Sequence, residues 1–304
     1  MSDARSVGVV GTGAMGMGVV RSLARHRVRT YTRDIRPDAD REATSLGATP
    51  CASPAALAAQ TGLLIVLVVD DTQVDDVLFG ADGAAPALAR GSVVVLSSTL
   101  DPAFVEATAT RLRTMNVDLV DAPVSGGPAR ASDGTMTMMV SGNAGARARC
   151  AQVLSRIAGR VFAVGDRPGD AATLKIVNNL LAAVNLAAAA EALVLAKQAG
   201  LDPRAALEVI LASSGASWMA ADRMPRLLAG DEGVRAATKI LAKDAALATT
   251  LGDRLRAGLP FARAARDAFA DAVRAGFGER DDASMLTFFA QRAGVSIDDT
   301  RKAS

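Results

Sequence analysis

The sequence has few aromatic residues, two cysteines and one histidine, and each shortage excludes a class of site. Aromatic residues make up 3% of the chain and no basic block stands out, so no base-stacking surface for nucleic acid is expected. Cys51 and Cys150 have neither the number nor the spacing of a disulfide framework or a metal site, and a reducing cytoplasm fits them best. The single histidine, His26, lies far in sequence from every motif described below, so we expect it to have no catalytic role.

Charge of one sign and membrane-spanning segments are also scarce. The 34 Lys and Arg residues nearly balance the 32 Asp and Glu residues. The start, "MSDARSVGVVG", has no apolar segment followed by a cleavage site. The longest apolar run, residues 180–196, contains Asn185 and Glu191, which favours a buried helix over a transmembrane one. We therefore expect a globular cytoplasmic protein with no membrane partner.

Half of the residues are hydrophobic, and in the first half of the chain apolar runs of strand length alternate with helical patterns. Ser53 and Asp101, each followed by proline, are typical helix starts. The runs typical of strands are residues 6–11, 28–34, 63–69, 91–99, 117–124, 135–142 and 160–165. Strands this apolar, separated by helices, predict a parallel sheet covered on both faces. Only helical patterns follow residue 168 or so, which predicts an α/β domain over residues 1–167 and an all-α domain over 168–304.

The first chemical motif, "VGVVGTGAMGMG", places a G-x-G-x-x-G turn between the first strand and the first helix. In this setting one glycine allows the tight turn, one lets the backbone approach a pyrophosphate, and one lets helix and strand pack closely. The helix N-terminus then offers amide groups to the phosphates. The motif predicts a Rossmann-type dinucleotide site made by Gly11, Gly13, Ala14, Met15 and Gly16.

Asp34 ends the second strand, 18 residues after Gly16, and indicates which dinucleotide binds. A carboxylate there accepts hydrogen bonds from the adenosine ribose hydroxyls and repels a 2′-phosphate, so NAD is favoured over NADP. Arg33 and Arg36 flank this carboxylate and keep NADP open as the second choice, because an arginine can hold a 2′-phosphate. The alternative is that both arginines are solvated loop charges.

The second motif, "DAPVSGGP", follows a strand and contains Ser125, Gly126 and Gly127. A hydroxyl and consecutive uncovered N–H groups form a nest suited to a carboxylate. An ordinary glycine turn would have the same sequence, so this motif alone leaves both interpretations open.

The third motif, "TLKIVNNLL", puts Lys175, Asn178 and Asn179 at i, i+3 and i+4 of an apolar helix. Residues at this spacing share one helix face and can reach one ligand. A lone lysine on such a helix would simply extend its amine to water. Three polar residues on one stripe favour a cleft, where partial burial would lower the pKa of the lysine toward the range useful to a general base.

Together, "GTGAMG", "DAPVSGG" before "GTM", and "GDAATLKIVNN" resemble the β-hydroxyacid dehydrogenases, the group that contains 3-hydroxyisobutyrate dehydrogenase. The resemblance covers nearly the whole chain, as far as "LAKDAAL". It implies a Rossmann-type domain followed by a helical domain for substrate binding and oligomerisation, and a homodimer or homotetramer.

The resemblance also implies roles for particular residues. Lys175 would be the catalytic lysine and Asn179 its partner in holding a small hydroxyacid, while Ser125, Gly126 and Gly127 would bind the carboxylate of that acid. Val69, Thr99 and Lys243 would lie at the cofactor, the last closing over it. The 6-phosphogluconate enzymes of this group carry a glutamate seven residues after the lysine, where this chain has Ala182. Decarboxylation of a sugar phosphate is therefore not expected.

Two further segments, "VVDDTQVDDVLFG" and "SSGASWMAADRMPRLLAGD", look most like the L-threonate dehydrogenase branch. Asp71, Thr72 and Gln73 would then line the pocket and offer polar groups to a four-carbon sugar acid, together with Asn178. Trp218 could lie over the site, but packing between helices, where large aromatic residues usually lie, is the favoured expectation. Alternatives are 3-hydroxyisobutyrate dehydrogenase or tartronate semialdehyde reductase. Two alternatives belong to other functional classes. A non-catalytic NAD(P) sensor would have no need of Lys175, and an imine reductase usually has an acidic or aromatic residue in place of this lysine.

Overall fold

The computed structural model describes residues 6–297, and the chain divides into two compact units between Lys175 and Ile176. The predicted domain boundary after residue 167 stays a prediction. The outer ends of the two predicted domains, residues 1–5 and 298–304, lie outside the described residues.

The first unit is a nine-stranded sheet with helices between the strands. Its strands are β1 (Ser6–Val10), β2 (Arg29–Arg33), β3 (Thr49–Pro50), β4 (Leu63–Val66), β5 (Val93–Leu96), β6 (Asp118–Asp121), β7 (Val124–Ser125), β8 (Met136–Ser141) and β9 (Ala158–Gly165). The strand order is β3-β2-β1-β4-β5-β6-β8-β7, and β9 also pairs with β8. Strand β2 pairs with one side of β1 and strand β4 pairs with the other, as in a doubly wound fold.

The helices of this unit include the two whose starts the sequence predicts, after Ser53 and after Asp101. They are α1 (Ala14–Arg25), α2 (Pro37–Ser45), α3 (Pro54–Ala58), α4 (Asp71–Phe79), α5 (Pro102–Thr114), α6 (Gly127–Asp133), α7 (Ala144–Ile157) and the first turns of α8 (Asp170–Gln198). Ser53 caps α3 through the N–H of Ala56, and Asp101 caps α5 through the N–H of Ala103. Proline occupies the first position of both helices, where its missing N–H costs no hydrogen bond.

The predicted α/β fold is confirmed, with one correction. All pairings among β1 to β6 are parallel, but β8 runs antiparallel to both β6 and β7. The two-residue strands β3 and β7 were not predicted, because two residues give no periodic pattern. The sheet is therefore parallel where the first two motifs begin and mixed beyond β6.

The central strands are covered on both faces. Every residue of β4 and β5 is buried, and alternate residues belong to two separate hydrophobic clusters, one on each face of the sheet. One cluster contains Ile65, Val93 and Val95, and the other contains Leu64, Val66 and Val94.

The second unit is helical over its described residues, apart from one bridge between Ala237 and Asp281. It contains the rest of α8, then α9 (Pro203–Leu211), α10 (Trp218–Leu228), α11 (Thr238–Arg254), α12 (Pro260–Ala272) and α13 (Met285–Arg292). Its core includes Leu186, Met224, Phe269 and Phe288.

Two predictions from the sequence concern this helical part of the chain: that residues 180–196 form a buried helix, and that Trp218 packs between helices. Of the described helices, α8 is the one long and apolar enough to cross a membrane, yet its buried residues include Lys175 and Asn179, as in the core helix of a folded domain. The packing prediction for Trp218 is wrong: this side chain is 53% exposed, with the Arg223 guanidinium 5.6 Å from its ring centre. Trp218 is the first residue of α10, and an indole at a helix start can stay in solvent while the following turns pack.

Candidate active site

The three glycines after β1 perform three different structural tasks. Gly11 has φ +85°, and a Cβ there would lie 2.4 Å from the carbonyl oxygen of Leu67. A Cβ on Gly16 would lie 1.9 Å from the carbonyl oxygen of Gly11, so α1 packs directly on the turn. Gly13, in contrast, faces open space. Only Gly13 therefore leaves room for a ligand, which fits the approach of a pyrophosphate.

The start of α1 is built to receive an anion. The N-terminal residue Gly13 supplies no side-chain cap, and the first turn contains Ala14, Met15 and Gly16 with no acidic residue. Helices α3, α4, α5 and α7 have a side-chain cap, whereas α1, like α2 and α6, has none and leaves its first N–H groups to another partner. These groups and the helix dipole suit the phosphates of a dinucleotide.

Asp34, directly after β2, is buried and already holds several donors. Its Oδ2 accepts from the Thr12 N–H at 2.8 Å, and its Oδ1 accepts from the N–H and Nε of Arg36, each at 3.0 Å. Burial opposes ionisation, but the Arg36 and Thr12 hydrogen bonds outweigh it and hold the pKa of Asp34 below its ordinary value. Arg36 is thus paired with Asp34, although its side chain stays half-exposed. The carboxylate stays ionised at neutral pH and faces the end of the glycine turn.

The carboxyl ends of β1, β4 and β5 meet at one edge of the sheet, because these strands are parallel neighbours. Val69 lies exposed beyond β4, and its N–H donates to Gln73 Oε1 at 3.0 Å. Asp71 is half-buried in the first turn of α4, and Thr99 is half-buried beyond β5. The structure therefore places Val69 and Thr99 at the edge where doubly wound folds bind ligands, and commits the Gln73 oxygen to the local turn.

The turn after β7 is half-exposed and depends on glycine. Gly126 has φ +127° and Gly127 has φ +77°, so both require conformations that other residues rarely adopt. A Cβ on Gly127 would meet nothing within 4 Å, so space is open beside Ser125 and its neighbours. The geometry is compatible with the predicted carboxylate nest.

The third motif lies on α8 with its members in different surroundings. Lys175 is 6% exposed and Asn179, one turn later, is 7% exposed, whereas Asn178 is exposed and donates to Asn179 Oδ1 at 3.1 Å. The predicted shared face therefore consists of Lys175 and Asn179, with Asn178 at its margin. A lysine simply extending its amine to water would not be this buried.

In the second unit Asn179 is held by an acidic residue that the sequence interpretation did not single out. Its Nδ2 donates to Asp244 Oδ2 at 2.6 Å, and Asp244 is buried. The other carboxylate oxygen, Oδ1, lies 2.9 Å from Lys243 Nζ in an ion pair. Asp244 stands on the buried stripe of α11 with Leu241, Ala245 and Ala248, and a charge on an apolar stripe was the available signal.

A second unpredicted residue is Asp121, at the carboxyl end of β6. It is 1% exposed, and its Oδ2 accepts from the N–H groups of Gly169 and Ala172 at 2.9 and 2.8 Å. Burial raises the pKa of this carboxyl to about 6, although the backbone hydrogen bonds oppose the rise. The free energy of unfolding therefore falls as pH rises from about 4 to about 6, because Asp121 ionises in the unfolded chain before it ionises in the folded protein. Among the described residues no group of three or more metal-binding side chains occurs.

The uncapped helix behind an open glycine, the ionised Asp34 and the buried lysine define a dinucleotide-binding enzyme of the Rossmann class. Comparison with known proteins makes this more specific. Residues 6–165 match the NAD binding domain of 6-phosphogluconate dehydrogenase, and residues 169–299 match the NAD-binding domain of NADP-dependent 3-hydroxyisobutyrate dehydrogenase.

The chain is also similar over almost its full length to individual proteins. L-threonate dehydrogenase of Cupriavidus necator is 42% identical over 94% of this chain and 96% of its own. L-threonate dehydrogenase of Escherichia coli K12 is 39% identical over 96% of each chain. A solved structure described as 3-hydroxyisobutyrate dehydrogenase from Salmonella typhimurium is 39% identical, with a TM-score of 0.87 over 93% of this chain and 99% of that one.

This protein belongs to the β-hydroxyacid dehydrogenase family of 3-hydroxyisobutyrate dehydrogenase-like enzymes. It is an NAD(P)-binding oxidoreductase that acts on hydroxyacids, as the resemblance implied.

The geometry at Asp34 generates a prediction about the cofactor. We expect NADH to bind at least about tenfold more tightly than NADPH, because one unfavourable charge contact of this kind exceeds roughly 1.4 kcal/mol. Fluorescence titration with both reduced cofactors measures this ratio. Arg36→Ala is the matched variant, and it should leave the preference for NADH in place. Tighter NADPH binding that disappears in Arg36→Ala would instead assign the selectivity to the arginine.

Proposed function

We propose that this enzyme oxidises the hydroxyl of a four-carbon sugar acid such as L-threonate, with NAD as hydride acceptor and Lys175 as general base. The observation that carries the mechanism is the burial of Lys175 and Asn179 on one face of α8. Support for the substrate comes from five curated relatives, 36–42% identical, that are named L-threonate dehydrogenase.

The residues divide the chemical work as follows. The backbone N–H groups at Ser125, Gly126 and Gly127 bind the substrate carboxylate. Asn179, oriented by Asp244, holds the substrate at its hydroxyl end. When bound, NAD supplies the acceptor for the hydride that leaves the carbinol carbon. Lys175 Nζ takes the hydroxyl proton in the same step, and in the reverse direction the protonated amine returns it to the carbonyl oxygen.

The second candidate function is that of a 3-hydroxyisobutyrate dehydrogenase, favoured by the description of the Salmonella structure. A branched apolar acid would need an apolar pocket wall, whereas Asp71, Thr72 and Gln73 are polar. The sugar acid has hydroxyl groups for these side chains, so it is our first choice. A non-catalytic sensor is disfavoured because it would gain nothing from burying a lysine.

We further propose a cytoplasmic homodimer or homotetramer. Both cysteines are free thiols, as in a reducing compartment. Helix α8 exposes an apolar stripe that repeats every three to four residues and includes Leu174, Val177, Leu181 and Leu195. Such a stripe is stabilised when it packs on a second copy. Leu181→Glu should therefore reduce the mass measured by light scattering, whereas Leu255→Glu, an exposed leucine at the end of α11, should not.

Lys175→Met tests the general base. Methionine keeps the apolar stem and removes the amine, so turnover should fall by roughly 10²–10⁴-fold while NADH affinity hardly changes. Lys197→Met, about six turns later on α8, is the matched control and should retain turnover. Steady-state kinetics with NADH absorbance gives both numbers. Near-normal turnover in a folded, NADH-binding Lys175→Met protein would show that another group takes the proton.

A panel of small hydroxyacids tests the substrate. We expect kcat/KM for L-threonate to exceed that for 3-hydroxyisobutyrate, and no activity with 6-phosphogluconate because Ala182 replaces the second acid. The polar side chains at residues 71–73 motivate the first expectation, and Gln73→Leu should narrow the gap between the two acids. A strong preference of the natural sequence for 3-hydroxyisobutyrate would identify the second candidate function instead.

A further inference from the structure

The first turn of α8 is fixed by side chains from distant parts of the first unit. Asp121 Oδ2 accepts from the N–H groups of Gly169 and Ala172, and from Ser141 Oγ at 3.3 Å. The Ser141 hydroxyl in turn accepts from the N–H of Ala171 at 3.0 Å. Three N–H donors at the start of the helix, those of Gly169, Ala171 and Ala172, are therefore satisfied by β6 and β8, which are about 30 to 50 residues earlier in the chain.

This contact joins two predicted parts of the active site. Asp121 ends β6 and stands four residues before Ser125, and Ala172 stands three residues before Lys175. Three residues of helix advance only about 4.5 Å along its axis, so Lys175 lies one turn beyond the fixed N–H groups. We propose that Asp121 is a positioning residue that sets the place of Lys175 relative to the Ser125–Gly127 turn. This inference rests on the proposed role of Lys175.

An ordinary helix cap would not need this arrangement. Ser53, Asp70 and Asn143 cap their helices locally, from positions directly before the first turn. Asp121 instead reaches α8 from β6, is almost fully buried and leaves its Oδ1 with no hydrogen-bond donor. Burying a carboxylate with an unsatisfied oxygen is costly. Burial of this carboxylate therefore costs folding stability. Its hydrogen bonds fix the start of α8 to the sheet edge where the cofactor motifs lie.

The consequence for the reaction is geometric. Proton transfer requires the lysine amine within hydrogen-bonding distance of the substrate hydroxyl, and a displacement of about 1 Å can cost about 10²-fold in rate. The Gly11–Gly16 turn and Asp34, which would bind NAD, follow β1 and β2, and strands β4 and β5 lie between these two and β6. Loss of the contact should consequently lower kcat more than it changes cofactor affinity or KM.

Two variants of Asp121 separate its hydrogen bonds from its charge. Asp121→Ala removes the acceptor, and we expect kcat to fall about 10- to 100-fold, with KM and the Kd for NADH within about twofold of the natural protein. Asp121→Asn retains one acceptor oxygen and should keep kcat within about threefold. The substrate is whichever acid of the panel the natural protein oxidises fastest. Asn143→Ala, which removes the cap of α7 in the same unit, is the matched control and should leave kcat unchanged.

Each outcome decides the inference. Natural kcat in Asp121→Ala, a fall no larger than that in Asn143→Ala, or equal losses in the alanine and asparagine variants would overturn it. Should Asp121→Ala fail to fold, Ser141→Ala removes the Ala171 contact and the Ser141 hydrogen bond to Asp121 but leaves the Gly169 and Ala172 contacts. A several-fold lower kcat at unchanged Kd for NADH then supports the inference, whereas unchanged kcat overturns it.

Lys175→Met, assayed in parallel, separates this inference from the proposed function. An active Lys175→Met protein would remove the proposed base and with it the reason for positioning that side chain. An inactive Lys175→Met protein beside a fully active Asp121→Ala protein would leave the base in place and overturn only the role of Asp121.

Discussion

Parallel pairing of β1 with β2 and β4 is the constraint on which the first unit depends. Parallel neighbours bring their carboxyl ends to one edge of a sheet, so Gly11, Asp34 and Val69 follow their strands at the same edge although they are far apart in sequence. The same pairing requires a crossover helix between strands and cover on both faces, which explains the fully buried residues of β4 and β5. The site and the core thus follow from one hydrogen-bonding pattern.

Buried carboxylates hold polar groups in place in both units, Asp34 and Asp121 in the first and Asp244 in the second. Asp34 is held by the Thr12 N–H and by Arg36, Asp121 by the first turn of α8, and Asp244 by Asn179 and Lys243. Each carboxylate accepts hydrogen bonds from another segment of the chain and so fixes that segment in place. The electrostatic outcomes differ because the donors differ: the Arg36 guanidinium lowers the pKa of Asp34, whereas burial among neutral donors raises the pKa of Asp121.

Small residues are as important to the site as charged ones. Position 16 requires glycine because a Cβ there would collide with the Gly11 carbonyl oxygen. Gly13 leaves open space beside the start of α1. The aliphatic residues around Lys175 include Ala171, Ala172 and Ile176, all buried.

The sequence by itself determined the α/β class, the helical second half, the glycine turn with its three tasks, Asp34, and the helix carrying Lys175 and Asn179. These follow from local rules: strand and helix periodicity, proline after a cap, and the spacing of a turn between a strand and a helix. Tertiary structure alone decided the antiparallel turn of β8, the exposure of Trp218, the Arg36 pairing with Asp34, and the contacts of Asp121 and Asp244. The contact of Asp121 with Gly169 joins residues 48 positions apart, and that of Asp244 with Asn179 joins residues 65 positions apart. No local pattern fixes such a pairing, because it depends on which chain segments the packed core brings within hydrogen-bonding distance.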